Sequence, residues 1–275
     1  MDRRKEPLKL GLMLLVGLLI GGGAVAVFNS GSDDDSAGTS ATNPLGVAKV
    51  VDLSHTIDQK IPLWPGDPKM VFDKVATFET DGYYLRDFSI GEHSATHMNA
   101  PNSFIDGKEG IDEYGPADLM RPAVVIDVRK QAAADPDYAL TQADLDAWEE
   151  QNGKVPEGSV VLLDTGWSKY WRDPKKFFGQ DAKGGLHFPG FDGKTTKFLL
   201  DERGISGVGI DTHGVDPGQD ESYSTNTQVL SEPRIVLENL DRLDQLPATG
   251  ANIIIAPLKL KDGSGSPATV TGLIP

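Results

Sequence analysis

The segment Gly91-Glu-His-Ser-Ala-Thr-His-Met-Asn-Ala-Pro-Asn-Ser-Phe104 restricts the backbone more than any other part of the chain. It sets His93, His97, Asn99 and Ser103 at offsets of four, two and four. In an extended strand alternate side chains share a face, so even offsets bring all four toward one side. A helical reading also places His93 and His97 on one face, but Asn99 and Pro101 would end a helix there. The reading is therefore a strand followed by a tight loop, with side chains that can converge on a metal ion.

Short β-branched and apolar runs extend this pattern. They predict strands at 49–53, 71–78, 84–90, 123–127, 159–164, 207–211, 234–237, 252–260 and 268–273. Only two helices are predicted. One starts at the capping pattern Thr141-Gln-Ala-Asp144 and runs to about Gln151; the other spans Thr195 to Arg203 and stops at Gly204. Many strands with few helices give a mixed α/β domain, and an apolar content of 39% is enough for a sizeable core.

The chain begins differently. Arg3, Arg4, Lys5 and Lys9 precede an uncharged run from Leu10 to Phe28, and Asp33 to Asp35 follow it. A basic start and an apolar run form an export signal, with Ala24-Val-Ala26 as a cleavage site. The run is also long enough to anchor in a bilayer, and the position of its basic residues puts the following domain outside the cytoplasm. Residues 1–30 are read as signal peptide or signal anchor, 31–46 as a flexible Ser, Asp and Gly-rich tether, and 47–275 as the folded domain. Contact with the membrane is expected through the N-terminal segment alone.

No cysteine is present, which excludes disulfides and thiolate metal sites, so any metal has nitrogen and oxygen ligands. The formal charge is −15, and the leader's four basic and two acidic residues leave −17 on the remainder. Such a surface disfavours nucleic acid and favours solubility.

Six further strings set beside the histidine segment carry a resemblance. They are Asp52-Leu-Ser54, Trp64-Pro-Gly-Asp67, Thr165-Gly-Trp167, Gly209-Ile-Asp-Thr212, Glu238-Asn-Leu240 with Leu246-Pro247, and Gly265-Ser-Pro267. In this order, across residues 47–275, they resemble the cyclase family that includes bacterial kynurenine formamidases and isatin hydrolases, whose signature is H-x-G-T-H-x-D-x-P-x-H. The resemblance implies a swivelling β/β/α cyclase-like single domain. It also implies one divalent ion, zinc or manganese, and a small-molecule substrate. Family members are commonly oligomeric, so a homodimer is compatible with it.

Carried over residue by residue, the resemblance makes His93, His97 and Glu238 metal ligands, with Asn99 as a fourth. Asn99 stands where the family has an aspartate, and Asn226 where the formamidases have a histidine. Both would weaken a second metal position, so a single ion is expected. Ser103 replaces a histidine thought to move protons, and serine needs an activating partner to act as a base. The base is then either His213, on a loop rich in Gly, Pro and Asp, or Glu238 itself. The alternative for His213 is a loop residue bonded to Asp211 or Asp216. Trp64 faces the substrate by resemblance, or else packs a turn, and His187 is expected near the pocket. Asn226 and Ser103 are expected to donate hydrogen bonds to a developing oxyanion.

Two function classes follow. One is a metal-dependent hydrolase of a cyclic or aryl amide, lactam or lactone. The other is an exported metal- or small-molecule-binding protein that has lost hydrolysis.

Overall fold

The computed structural model describes residues 46–275. The predicted export signal, and all of the predicted tether except Gly46, lie outside the described residues. Among the described residues no helix is long and apolar enough to cross a membrane.

Twelve strands and six helices make up the described chain. In order they are β1 (Lys49–Asp52), β2 (Val71–Ala76), α1 (Phe78–Asp81), β3 (Leu85–Ser89), β4 (His97–Asn99), β5 (Met120–Asp127), α2 (Arg129–Ala134), β6 (Ala139–Leu140), α3 (Gln142–Asn152), β7 (Val160–Asp164), α4 (Pro174–Phe178), β8 (Gly190–Phe191), α5 (Gly193–Arg203), β9 (Gly207–Ile210), α6 (Ser224–Val229), β10 (Ile235–Glu238), β11 (Ala251–Pro257) and β12 (Gly265–Ile274).

Eight strands form one mixed sheet in the order β1-β12-β11-β5-β7-β9-β10-β4. β5, β7, β9 and β10 run parallel, and the remaining pairings are antiparallel. The long β12 closes the sheet: Gly265, Ser266 and Pro267 pair with β4, while Thr271 to Ile274 pair with β1. The result is barrel-like, and it is a mixed α/β domain with few helices as the sequence pattern predicts.

Alternation along the strands explains the layers. On β5 and β7, Ala123, Val125, Val160 and Leu162 point into the barrel with Met98, Leu237 and Ile253. Their neighbours Val124, Ile126, Val161 and Leu163 point outward against Leu145 and Trp148 of α3 and Leu199 of α5. The Trp148 indole N–H donates to the Val125 carbonyl at 2.8 Å, so the polar end of a large buried ring is satisfied. A third cluster, with Trp167, Trp171, Phe177, Phe178 and Phe188, packs beside the barrel wall near β4.

Helix α3 begins where the capping pattern placed it, with Thr141 and Asp144 closing a reciprocal capping box. α5 starts two residues earlier than predicted, because Asp192 accepts from the amides of Lys194 and Thr195. α1, α2, α4 and α6 were not predicted; each has six residues or fewer, too short to show a period. The strand predicted over 71–78 stops at Ala76, and the one over 252–260 stops at Pro257.

Candidate active site

The antiparallel pairing of β4 with β10 sets Glu238 opposite His97 and Val236 opposite Asn99. Met98 and Leu237 fill the barrel interior, so their neighbours His97, Asn99 and Glu238 project together from its outer face. The even-offset argument therefore holds for His97 and Asn99. It does not hold for His93, which sits on a turn before β4, nor for Ser103, which ends a short 3-10 turn after it. The strand is shorter than predicted because Ala95 takes a left-handed conformation at φ 57°.

His97 and Glu238 are buried, and their functional atoms stand close together. The His97 Nδ1–H donates to the Ala95 carbonyl at 2.9 Å, which leaves Nε2 to face Glu238 Oε2 at 3.2 Å. Nε2 has no hydrogen-bond partner. In the neutral ring, two acceptors oppose each other across a buried gap, an arrangement that a cation resolves. This pair fits the metal that the family resemblance implies. The second carboxylate oxygen, Glu238 Oε1, accepts from the Asn99 amide at 3.1 Å and more weakly from Asn226 at 3.5 Å.

The amides have a fixed polarity. Asp216 Oδ2 accepts from Asn226 Nδ2 at 2.9 Å, so Asn226 Oδ1 turns to accept from Asn99 Nδ2 at 3.2 Å. Asn99 Oδ1 then accepts from His93 Nδ1 at 2.8 Å, and His93 Nε2 meets Ser264 Oγ at 2.8 Å. Both ring nitrogens of His93 are thus engaged, 5.4 Å from the His97 ring by centroids. Among the described residues no three of His, Asp and Glu converge closely enough to hold an ion. His93 and Asn99 can become ligands only by giving up the bond between them.

Two expectations change with this geometry. Asn226 spends its amide protons on Asp216 and Glu238, and Ser103 donates to the Ala100 carbonyl at 2.6 Å. Neither is free to donate to an oxyanion as the sequence suggested. They line the cavity instead, where Asn226 orients Glu238 and Ser103 offers lone pairs.

His213 lies beside the carboxylate, with Nδ1 3.8 Å from Glu238 Oε2 and Nε2 unpartnered. Asp211 and Asp216 do not bond it. Asp211 holds the Thr165–Ser168 turn through backbone amides, and Asp216 holds the start of α6. Burial pulls the His213 pKa down to about 3, and the neighbouring His97 ring adds to this. Burial likewise lowers the pKa of His93. Burial alone would raise Glu238, but the facing His97 ring, with His213 and His93, outweighs it and holds the carboxyl down at about 2. Burial pushes Asp216 up to about 6.

Trp64 stacks obliquely on His213 at 5.3 Å and forms one wall of a cavity of about 600 Å³, with Phe188, Phe104 and Tyr223. His187 is not in this lining. Its ring turns away to Asp137 at 2.9 Å, so the structure does not bring it into the pocket.

Sequence reasoning missed two residues that shape the site. Asp216 fixes the amide polarity, and its only signal was its place in Gly-Val-Asp-Pro-Gly. Asn239 donates to the Ala95 carbonyl at 2.7 Å and accepts from Thr96 through its own carbonyl at 2.6 Å, so it fixes the turn that carries His97. Its signal was the string Glu238-Asn-Leu240. Gly265 is explained as well, because a Cβ there would meet the His93 ring at 2.7 Å.

Comparisons with known proteins show the family and the fold. A family model described as "Putative cyclase" matches residues 51–217. An isatin hydrolase of Roseibium aggregatum is 33% identical over 247 residues, covering 84% of this chain and 93% of that protein. A kynurenine formamidase of Bacillus cytotoxicus is 27% identical over 222 residues, covering 79% of this chain and 93% of its own. Among solved structures, isatin hydrolase A from Ralstonia solanacearum superimposes with a TM-score of 0.78 at 34% identity, covering 82% of this chain and 92% of that one. The chain belongs to this cyclase family of hydrolases.

Proposed function

We propose that this chain is a metal-dependent hydrolase of a cyclic or aryl amide, lactam or lactone, with isatin-like lactams and aryl formamides as the nearest chemistry. The observation that carries the reading is the buried pair of His97 Nε2 and Glu238 Oε2, 3.2 Å apart, beside an aromatic cavity of about 600 Å³. That volume suits one small aryl substrate.

His97 and Glu238 would hold one divalent ion, zinc or manganese, with His93 and Asn99 as further ligands once their mutual bond is exchanged. Such an ion supplies Lewis acidity, lowering the pKa of water and polarising a carbonyl. The chain's own residues do the rest. Asn99 and Asn226 hold one oxygen of Glu238, which aims the other at the imidazoles. His213, kept neutral by burial, offers its unpartnered Nε2 as a hydrogen-bonding group to the water or the leaving group beside Glu238. Trp64 and Phe188 position the ring of the substrate and exclude water.

The reading is tested by assaying the purified chain on isatin and on formanilide, before and after chelation and after restoring zinc or manganese. Hydrolysis of at least one compound that is lost with chelation and restored by metal supports it. No hydrolysis in any state overturns it.

We further propose that the enzyme works outside the cytoplasm, as the basic start and apolar run of residues 1–30 support. A homodimer is proposed through the β2–β3 hairpin. Val75, Phe78, Tyr84 and Phe88 stand exposed there, and an isolated two-stranded hairpin with open apolar side chains is an association surface.

A further inference from the structure

The charge of the cavity is one-sided. Asp67, Asp216, Asp220, Glu221 and Glu238 line it, and among the described residues of the lining none is Lys or Arg. Glu238 and Asp216 are buried at its floor, and the other three carboxyls lie nearer solvent. Asp220 is held as a carboxylate by Ser222 and Ser224, whose hydroxyls each donate to it at 2.5 Å. Glu221 is exposed beside Tyr223. The apolar part of the opening is aromatic: Phe104 and Tyr223 contact each other at 5.5 Å and are both partly exposed.

A substrate held with its scissile group toward Glu238 would have its other end nearer the solvent-side carboxyls of Asp220, Glu221 and Asp67. A carboxylate at that outer end would lose solvent among three like charges and meet no cation. A neutral ring would lie against Phe104 and Tyr223, and a cationic substituent would gain from both the carboxylates and the ring faces. Resting on the hydrolase reading above, we propose that the site selects aryl amides whose outer end is neutral or cationic and discriminates against those bearing a carboxylate there.

Three formanilides test this with the full chain: the parent compound, a para-carboxylate and a para-aminomethyl derivative. At low salt the carboxylate should show kcat/KM on the order of tenfold or more below the parent, and the ammonium compound should equal or exceed the parent. Raising the salt to about 0.5 M should close most of the gap, because charges near solvent are screened. Glu221→Gln combined with Asp67→Asn should narrow it as well. A carboxylate substrate turned over as well as the parent at low salt would overturn the proposal, as would a gap that neither salt nor the double variant changes. If none of the three is hydrolysed, the hydrolase reading fails by itself. Their binding, followed by quenching of tryptophan fluorescence, then reads the charge preference alone. The same order of affinity supports the proposal, and equal affinities refute it.

Discussion

Asn99 shows how one atom can redirect a site. At this position the family's aspartate would set a carboxylate against Glu238, whereas the amide donates to Glu238 Oε1 at 3.1 Å and is held in that sense by Asn226 and Asp216. Asn99→Asp should therefore destabilise the metal-free protein, by roughly 1–3 kcal/mol for a buried charge left facing a like charge. Added divalent ion should reverse the loss. Chemical denaturation with and without metal measures this, and an equally stable metal-free variant would show that the Asn99–Glu238 contact carries little. The residue types were legible in the sequence, since His93, His97, Asn99, Ser103, His213, Asn226 and Glu238 all fall in or beside the cavity. Their hydrogen-bond polarity was not. It depends on Asp216, on Asn239 and on the Ser103 bond to Ala100, which arise from chain segments far apart or from a local turn that spacing does not reveal.

At the scale of elements, apolar patterning located most strands of the main sheet and the two eleven-residue helices, and it failed for every helix of six residues or fewer. α6 is the costly omission, because it carries Asn226 and starts on the Asp216 carboxylate. The strand reading of the histidine segment was half right. β4 is three residues long, and the left-handed Ala95 turns His93 in from the side. The C-terminal end of β7 carries a testable consequence. Burial, and then the nearby Asp211, raise Asp164 from the ordinary carboxylate value to about 7. A raised carboxylate favours the folded state when protonated, so its contribution is full below about pH 4 and is lost as pH rises through 7. The thermal midpoint should thus fall between pH 5 and pH 8, and Asp164→Asn should flatten that fall. Identical slopes for the two proteins would remove Asp164 from the account.

On the scale of the whole molecule, the barrel supplies a rigid wall and the cavity is built outside it, between the β4–β10 pair and the aromatic cluster of Phe178 and Phe188. Residues 47–275 contain every part of that arrangement. Deleting residues 1–30 should leave a soluble, folded protein, and sedimentation of this product reads the subunit number as well. An insoluble product would tie the leader to the fold, and a monomer at micromolar concentration would remove the hairpin as a self-association surface. The metal centre is tested by elemental analysis of the purified chain beside His97→Ala and Glu238→Gln. One divalent ion per chain is expected in the native protein and less than a tenth of that in either variant, with hydrolysis falling in parallel. Two tightly held ions per native chain, or unchanged ion content in both variants, would contradict the assignment of His97 and Glu238 as the pair that holds a single catalytic metal.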